Sequence, residues 1–174
     1  MKDLARLRTS LKEEIEIVLN AQVKIEAEAS SKYLAMASWC DRNGYENCAG
    51  YLYKQSAEER EHMLKIFKFI SDMGGTAITP EVPMVQQDFP SFKNVFEVAL
   101  ENEIAVTLSI NRMVAKCRRE NDYATESFLM WFVKEQMEEE ENARRALELF
   151  DLIEETSTGK FVLDKEIAKL GSEK

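Results

Sequence analysis

Four stretches of this 174-residue chain place apolar residues at alternating three- and four-residue steps, and a single 18-residue break, 74–91, separates the second from the third. That spacing gives each stretch one apolar stripe along a helix. The helices are predicted over about 11–42, 45–73, 92–119 and 123–154. Asn43-Gly44 ends the first, with Gly44 suited to a left-handed cap, and Gly74-Gly75 ends the second. Ser91 is placed to cap the third, and Glu120-Asn121-Asp122 is a tight break before the fourth. Short links make the first and last pairs antiparallel neighbours. The long break carries Pro80, Pro83 and Pro90 and no periodicity. A helix of ~30 residues is ~45 Å long, and ~18 extended residues reach up to ~60 Å. The break can therefore run the length of the bundle and start the third helix parallel to the second. The expected fold is all-α, one domain over 1–174, a four-helix bundle with one long crossover. After a polar hinge at 154–159, residues 161–170 form a short amphipathic fifth helix, too short to stand alone. With the inward faces of four helices already filled, its stripe of Phe161, Val162, Leu163, Ile167 and Leu170 is expected to pack on other copies of the chain.

The stripes are interrupted at mid-helix. Leu19, Val23, Tyr33, Ala37 and Cys40 share a face with Glu26; Cys48, Leu52, Ile66, Phe69 and Met73 share one with Gln55, Glu59 and His62. Phe96, Ala99, Val106, Ile110 and Cys117 flank Glu103, and Leu129, Phe132, Ala143 and Phe150 flank Gln136 and Glu139. Each polar residue alone has an ordinary explanation. An inward Glu can pair with Lys or Arg, a lone Glu-x-x-His is often a structural hydrogen bond, and 135–141 resembles a solvated acidic face. Together they land at one height, where unpaired buried charge costs several kcal/mol. A cation between them resolves that cost. Carboxylates with a single imidazole suit iron or manganese better than zinc. Glu-x-x-His with single carboxylates from other helices is a di-iron pattern. The fourth helix offers Gln136-x-x-Glu139 in place of a second such motif, so one metal is expected to be held less tightly.

Net charge is −9, which disfavours nucleic acid and anionic membranes. No segment approaches ~18 uninterrupted apolar residues, and the opening residues hold no signal-like apolar run. A cytoplasmic location is expected. Cys40, Cys48 and Cys117 are odd in number and lack C-x-x-C spacing, which argues for reduced core thiols and against a zinc knuckle.

Leu-Asn-Ala-Gln (19–22) with Glu26 and Tyr33, Ala-Glu-Glu-Arg-Glu-His-Met (57–63), Glu-Asn-Glu (101–103), the run 128–140 and Phe-Val-Leu-Asp-Lys-Glu (161–166) together resemble a bacterial non-haem ferritin over nearly the whole chain. The resemblance implies a ferritin-like fold and ferroxidase activity, with ferrous iron and dioxygen as substrates. It also implies a first iron site at Glu26, Glu59 and His62, and a second at Glu59, Glu103 and Gln136. Glu58, Glu135, Glu138 and Glu139 match a third site, and Tyr33 matches a tyrosine beside the centre. Tyr33 is equally well read as a core aromatic with a hydrogen-bonded hydroxyl. By the same resemblance the chain is expected to form a closed shell of about two dozen copies, with the fifth helices around four-fold axes. Arg60 stands where haem-binding relatives carry Met, and one histidine cannot supply their second Glu-x-x-His, so no haem is expected. The Cys-ligated iron domain of rubrerythrins is missing from the sequence. Glu126 matches one acidic pore position of animal ferritins, and Leu129 occupies the other. The rival expectations are a stand-alone di-iron oxidase and a catalytically inactive ferritin-like shell.

Overall fold

The computed structural model describes residues 9–171, so the opening residues read above for a signal lie outside the described residues. Among those described there are five helices and no strand: α1 Glu13–Arg42, α2 Glu46–Asp72, α3 Phe92–Glu120, α4 Tyr123–Leu152 and α5 Ser157–Ile167. Cross-helix partners fix the directions. Ser30 and Ser56 exchange hydroxyl-to-carbonyl bonds of 2.7 Å while Tyr53 reaches Asp41, so α1 and α2 are antiparallel. Lys12 meets Glu120 and Lys32 meets Asn102, which sets α3 antiparallel to α1. Phe69 stacks on Phe128 and His62 lies edge-on to Trp131, so α4 opposes α2. α2 and α3 are therefore parallel, as the crossover requires.

The crossover lies along α1. Asn20 binds Thr76 and Ile78 at one end, and Arg42 reaches Gln87 and Asp88 at the other. From Glu16, whose carboxylate accepts the Thr76 N–H at 3.1 Å, to Arg42, α1 rises ~39 Å at ~1.5 Å per residue. Twelve extended residues cover the same length at ~3.3 Å each. Gly44 turns α1 into α2 with φ 82°, and Ser91 caps α3 by accepting from the Asn94 N–H at 3.1 Å.

The apolar core is in two parts. Tyr33, Met36, Cys40, Leu52, Phe92 and Phe96 fill one end, and Ile15, Leu19, Val23, Ile66, Ile110 and Leu129 fill the other. Near the end of α2 the buried position is Ile70, while Phe69, expected inward, is half-buried against Phe128. A straight 3.6-residue helix drifts off a seven-residue repeat, which explains the change of register. No described helix is long and apolar enough to cross a membrane.

α5 departs from expectation twice. Its N-terminus lies inside the segment read as a hinge, because Thr156 accepts from the Gly159 N–H at 3.1 Å and caps the helix. A Cβ at Gly159 would lie 1.8 Å from the Glu154 carbonyl oxygen, so glycine there serves close packing rather than a hinge. Second, the stripe does not face away from its own bundle as one unit. Leu163 and Ile167 are fully buried with Cys48, Leu52 and Phe150, against α2 and α4. Four helices leave that end of the core open, and α5 closes it. Phe161 and Val162 are the apolar residues of α5 that remain outward.

Candidate metal centre

Between the two halves of the core lies a polar layer with a contribution from every long helix. Glu26, Glu59, His62, Glu103, Gln136 and Glu139 are each at most 5% exposed, which removes the solvated-face reading of 135–141 for Gln136 and Glu139. Glu26, Glu59 and His62 bring ligand atoms within 4.8 Å of one another. His62 Nδ1 lies 3.3 Å from Glu59 Oε2, one turn away on α2. The imidazole is walled by Trp131 and Phe132, edge-on at 5.4 and 6.0 Å between centroids.

Among the described residues, no Lys or Arg forms an ion pair with Glu26, Glu59 or Glu103. Burial pushes the Glu26 carboxyl well above the usual carboxylate range, and the Glu59 charge adds to it. Glu59 is raised in the same way, by burial and then by Glu103. Gln22 donates to Glu26 Oε1 at 2.8 Å, but Glu26 Oε2 is buried and accepts no hydrogen bond from the described residues. A layer of this kind is stabilised by protons or by a cation. Oxygen donors with one nitrogen match a hard or borderline metal such as iron.

The remaining predicted residues form a second group beside the first. Tyr33 Oη donates to Glu103 Oε1, and Gln136 Nε2 donates to Glu103 Oε2 at 3.1 Å. Burial, followed by the charges of Glu103 and Glu59, raises the Tyr33 phenol well above its ordinary value and keeps it a proton donor. The matching third-site carboxylates are more dispersed. Glu58 and Glu135 line one groove of about 490 Å³ with Glu61, His62 and Lys65, whereas Glu138 lines another with Glu141 and Glu166. Glu58 also pairs with Lys54 at 3.5 Å. Leu129, at the pore-matching position, is fully buried in the core, and Glu126 is bound to Arg118 at 2.8 Å.

Several polar residues that hold the layer together fall off the stripes. Gln22 lies one turn before Glu26, and Ser109 donates to it from α3 at 2.6 Å. Lys32 donates to Asn102 Oδ1 at 2.8 Å, and Asn102 lies next to Glu103. Burial and then the Glu139 charge raise the Tyr51 phenol. The signal for Gln22 was its i, i+4 spacing from Glu26. Ser109 and Lys32 gave none, because their partners are on other helices.

Residues 18–153 match the Ferritin family, described as a ferritin-like domain. A probable bacterial non-heme ferritin-like protein of Haemophilus influenzae is 35% identical over 162 residues, covering 93% of this chain and 98% of that protein. A bacterial non-heme ferritin of Campylobacter jejuni is 33% identical, covering 92% and 96%. An open-pore ferritin from the hyperthermophilic archaeon Archaeoglobus fulgidus superposes with a TM-score of 0.89 at 34% identity, covering 91% of this chain and 97% of that one. With its crossover bundle, its buried carboxylate layer and this match over most of its length, the chain belongs to the ferritin family.

Proposed function

We propose that the chain is the subunit of a cytoplasmic iron store that oxidises ferrous ions with dioxygen at a two-metal centre and keeps the ferric product inside a closed homo-oligomeric shell of about two dozen copies. The observation that carries this reading is the trio Glu26, Glu59 and His62, with ligand atoms within 4.8 Å and, among the described residues, no Lys or Arg paired to either carboxylate. These three side chains bind the first ferrous ion. Glu59, Glu103 and Gln136 bind the second, with Glu59 shared between the two. Carboxylate charge favours the ferric state over the ferrous one. Tyr33 holds its proton on the hydroxyl directed at Glu103 and steadies that carboxylate. The apolar halves of the core above and below exclude water from the layer.

Aerobic addition of ferrous iron, followed by absorbance and by sizing, tests the reading. Rapid oxidation with iron retained in a large particle is expected. Oxidation in a monomer or dimer without retained iron would transfer the chain to the stand-alone oxidases, and a shell without rapid oxidation would make it an inactive assembly protein.

The third position is proposed on the groove lined by Glu58 and Glu135, with Glu138 and Glu139 following on α4. Changing Glu135 and Glu138 together to Ala is expected to leave the first two ferrous ions binding and oxidised at the parental initial rate. Later turnover should slow several-fold as product clears the centre less readily. Metal-soaked crystals with no density between these carboxylates and Glu58 would reduce the cluster to a surface charge patch.

A further inference from the structure

The two oxygens of Glu26 differ in their surroundings. Oε1 accepts the Gln22 amide N–H at 2.8 Å, while Oε2 is buried and accepts no hydrogen bond from the described residues. Gln22 is itself only 1% exposed, so its amide has no solvent partner to exchange for this one. The carboxylate fixes which end of the amide faces it, because only the nitrogen can donate. The other end is also held: Ser109 Oγ, from α3, donates to Gln22 Oε1 at 2.6 Å. A hydroxyl on one helix thus fixes an amide on another, and that amide fixes one oxygen of a carboxylate one turn away.

We propose that Gln22, braced by Ser109, is a positioning residue that keeps Glu26 a one-oxygen ligand and thereby sets the affinity of the first metal position. This rests on the metal-binding reading of Glu26, Glu59 and His62 given above. With Oε1 engaged, the carboxylate cannot rotate to present both oxygens, and Oε2 is the oxygen left open for a metal shared with Glu59 and His62. The ligand is then ordered before metal arrives. Partners of this kind, bound to a ligand rather than to the metal, typically change affinity about 10- to 100-fold when lost. Without the brace, the amide is held at one end only and the carboxylate regains its rotation.

The test is anaerobic Co2+ titration of the whole assembled protein, read by its visible absorption and by calorimetry. Parent, Gln22→Leu, Ser109→Ala, Ser109→Thr and Glu26→Ala are compared. The binding lost in Glu26→Ala identifies the first position. There, Gln22→Leu is expected to bind Co2+ about 10- to 100-fold more weakly, with an altered band that reports the changed Glu26 coordination. Ser109→Ala should fall between it and the parent, and Ser109→Thr, which keeps the hydroxyl, should match the parent. A residue that merely packs would shift the melting temperature and leave Co2+ affinity and band unchanged. Equal affinity in parent, Gln22→Leu and Ser109→Ala overturns the inference. Should Gln22→Leu fail to fold, Ser109→Ala decides: weaker binding supports the brace and parental binding overturns it. A parent that binds no Co2+ lost on Glu26→Ala would instead overturn the metal-centre reading itself.

Discussion

Replacing Glu59 by Ala is expected to slow ferrous oxidation by more than about 100-fold, beyond the range seen when only a ligand's supporting partner is lost. In the proposed centre this carboxylate is the one shared by both metal positions. The metal-free protein should nevertheless keep its fold and match or exceed the parent in stability. Glu59 is buried with Glu26 and Glu103, and its carboxyl is held well above the ordinary range by burial and by the Glu103 charge. Glu26 is raised by burial and by Glu59 in turn. Both groups ionise near pH ~4.3 in the unfolded chain, so well below that value they do not distinguish folded from unfolded. As pH rises past it, the unfolded chain releases protons that the folded chain retains, and metal-free stability falls until the folded pKa values are passed. Glu59→Ala removes one such group and relieves the other. Its denaturation midpoint should therefore gain on the parent between about pH 4 and neutrality, measured at one protein concentration without metal. A parental initial oxidation rate would sink the bridging role. A parent and variant with parallel pH profiles would show that the layer carries no such charge strain.

Much of this centre was legible before any coordinates because each ligand candidate stands on a stripe fixed by apolar neighbours on both sides. Val23 and Tyr33 fix the face of Glu26, and Leu52 and Ile66 fix that of Glu59 and His62. All four candidate helices of the bundle formed within about two residues of their expected ends. What could not be read was the relation between helices. Gln22 is one turn from Glu26, yet its meaning depends on Ser109, 87 residues away. Lys32 is informative only through Asn102 on α3. The fifth helix failed for a local reason. Phe161, Val162 and Leu163 are consecutive and cannot share a face, so composition alone does not decide which of them points inward. The capping chemistry of Thr156 and Gly159 was available in the sequence, but Ser, Thr and Gly in succession also read as a flexible link.

The larger structural effect is expected at Asp164, which is 5% exposed on the inward face of α5. The N-cap position of α2 is Tyr45, and its side chain makes no capping bond. Asp164 supplies the cap from 116 residues away: Oδ1 accepts from the Cys48 N–H at 2.8 Å, and Oδ2 accepts from Asn47 Nδ2 at 2.6 Å and the Asn47 N–H at 3.3 Å. Those N–H groups are among the four that an α-helix leaves unpaired at its start, and a negative charge there also meets the positive end of the helix dipole. Asp164→Ala strands the buried Cys48 N–H and the part-buried Asn47 N–H on α2 and removes the polar anchor between α5 and the bundle. Lost caps cost about 0.5–2 kcal/mol and stranded buried donors about 1–3 each, so a destabilisation of about 2–4 kcal/mol is expected. Asp164→Asn keeps one acceptor oxygen and should cost about half as much. The loss should be local at first. With α5 released, trypsin should cut after Lys160 and Lys165 well before the bundle is attacked, while ferrous oxidation persists because Glu26, Glu59 and His62 lie in the polar layer between the core halves, and α5 contributes to only one of those halves. Parental denaturation midpoints together with parental protease resistance in Asp164→Ala would mean that Leu163 and Ile167 alone hold the fifth helix in place.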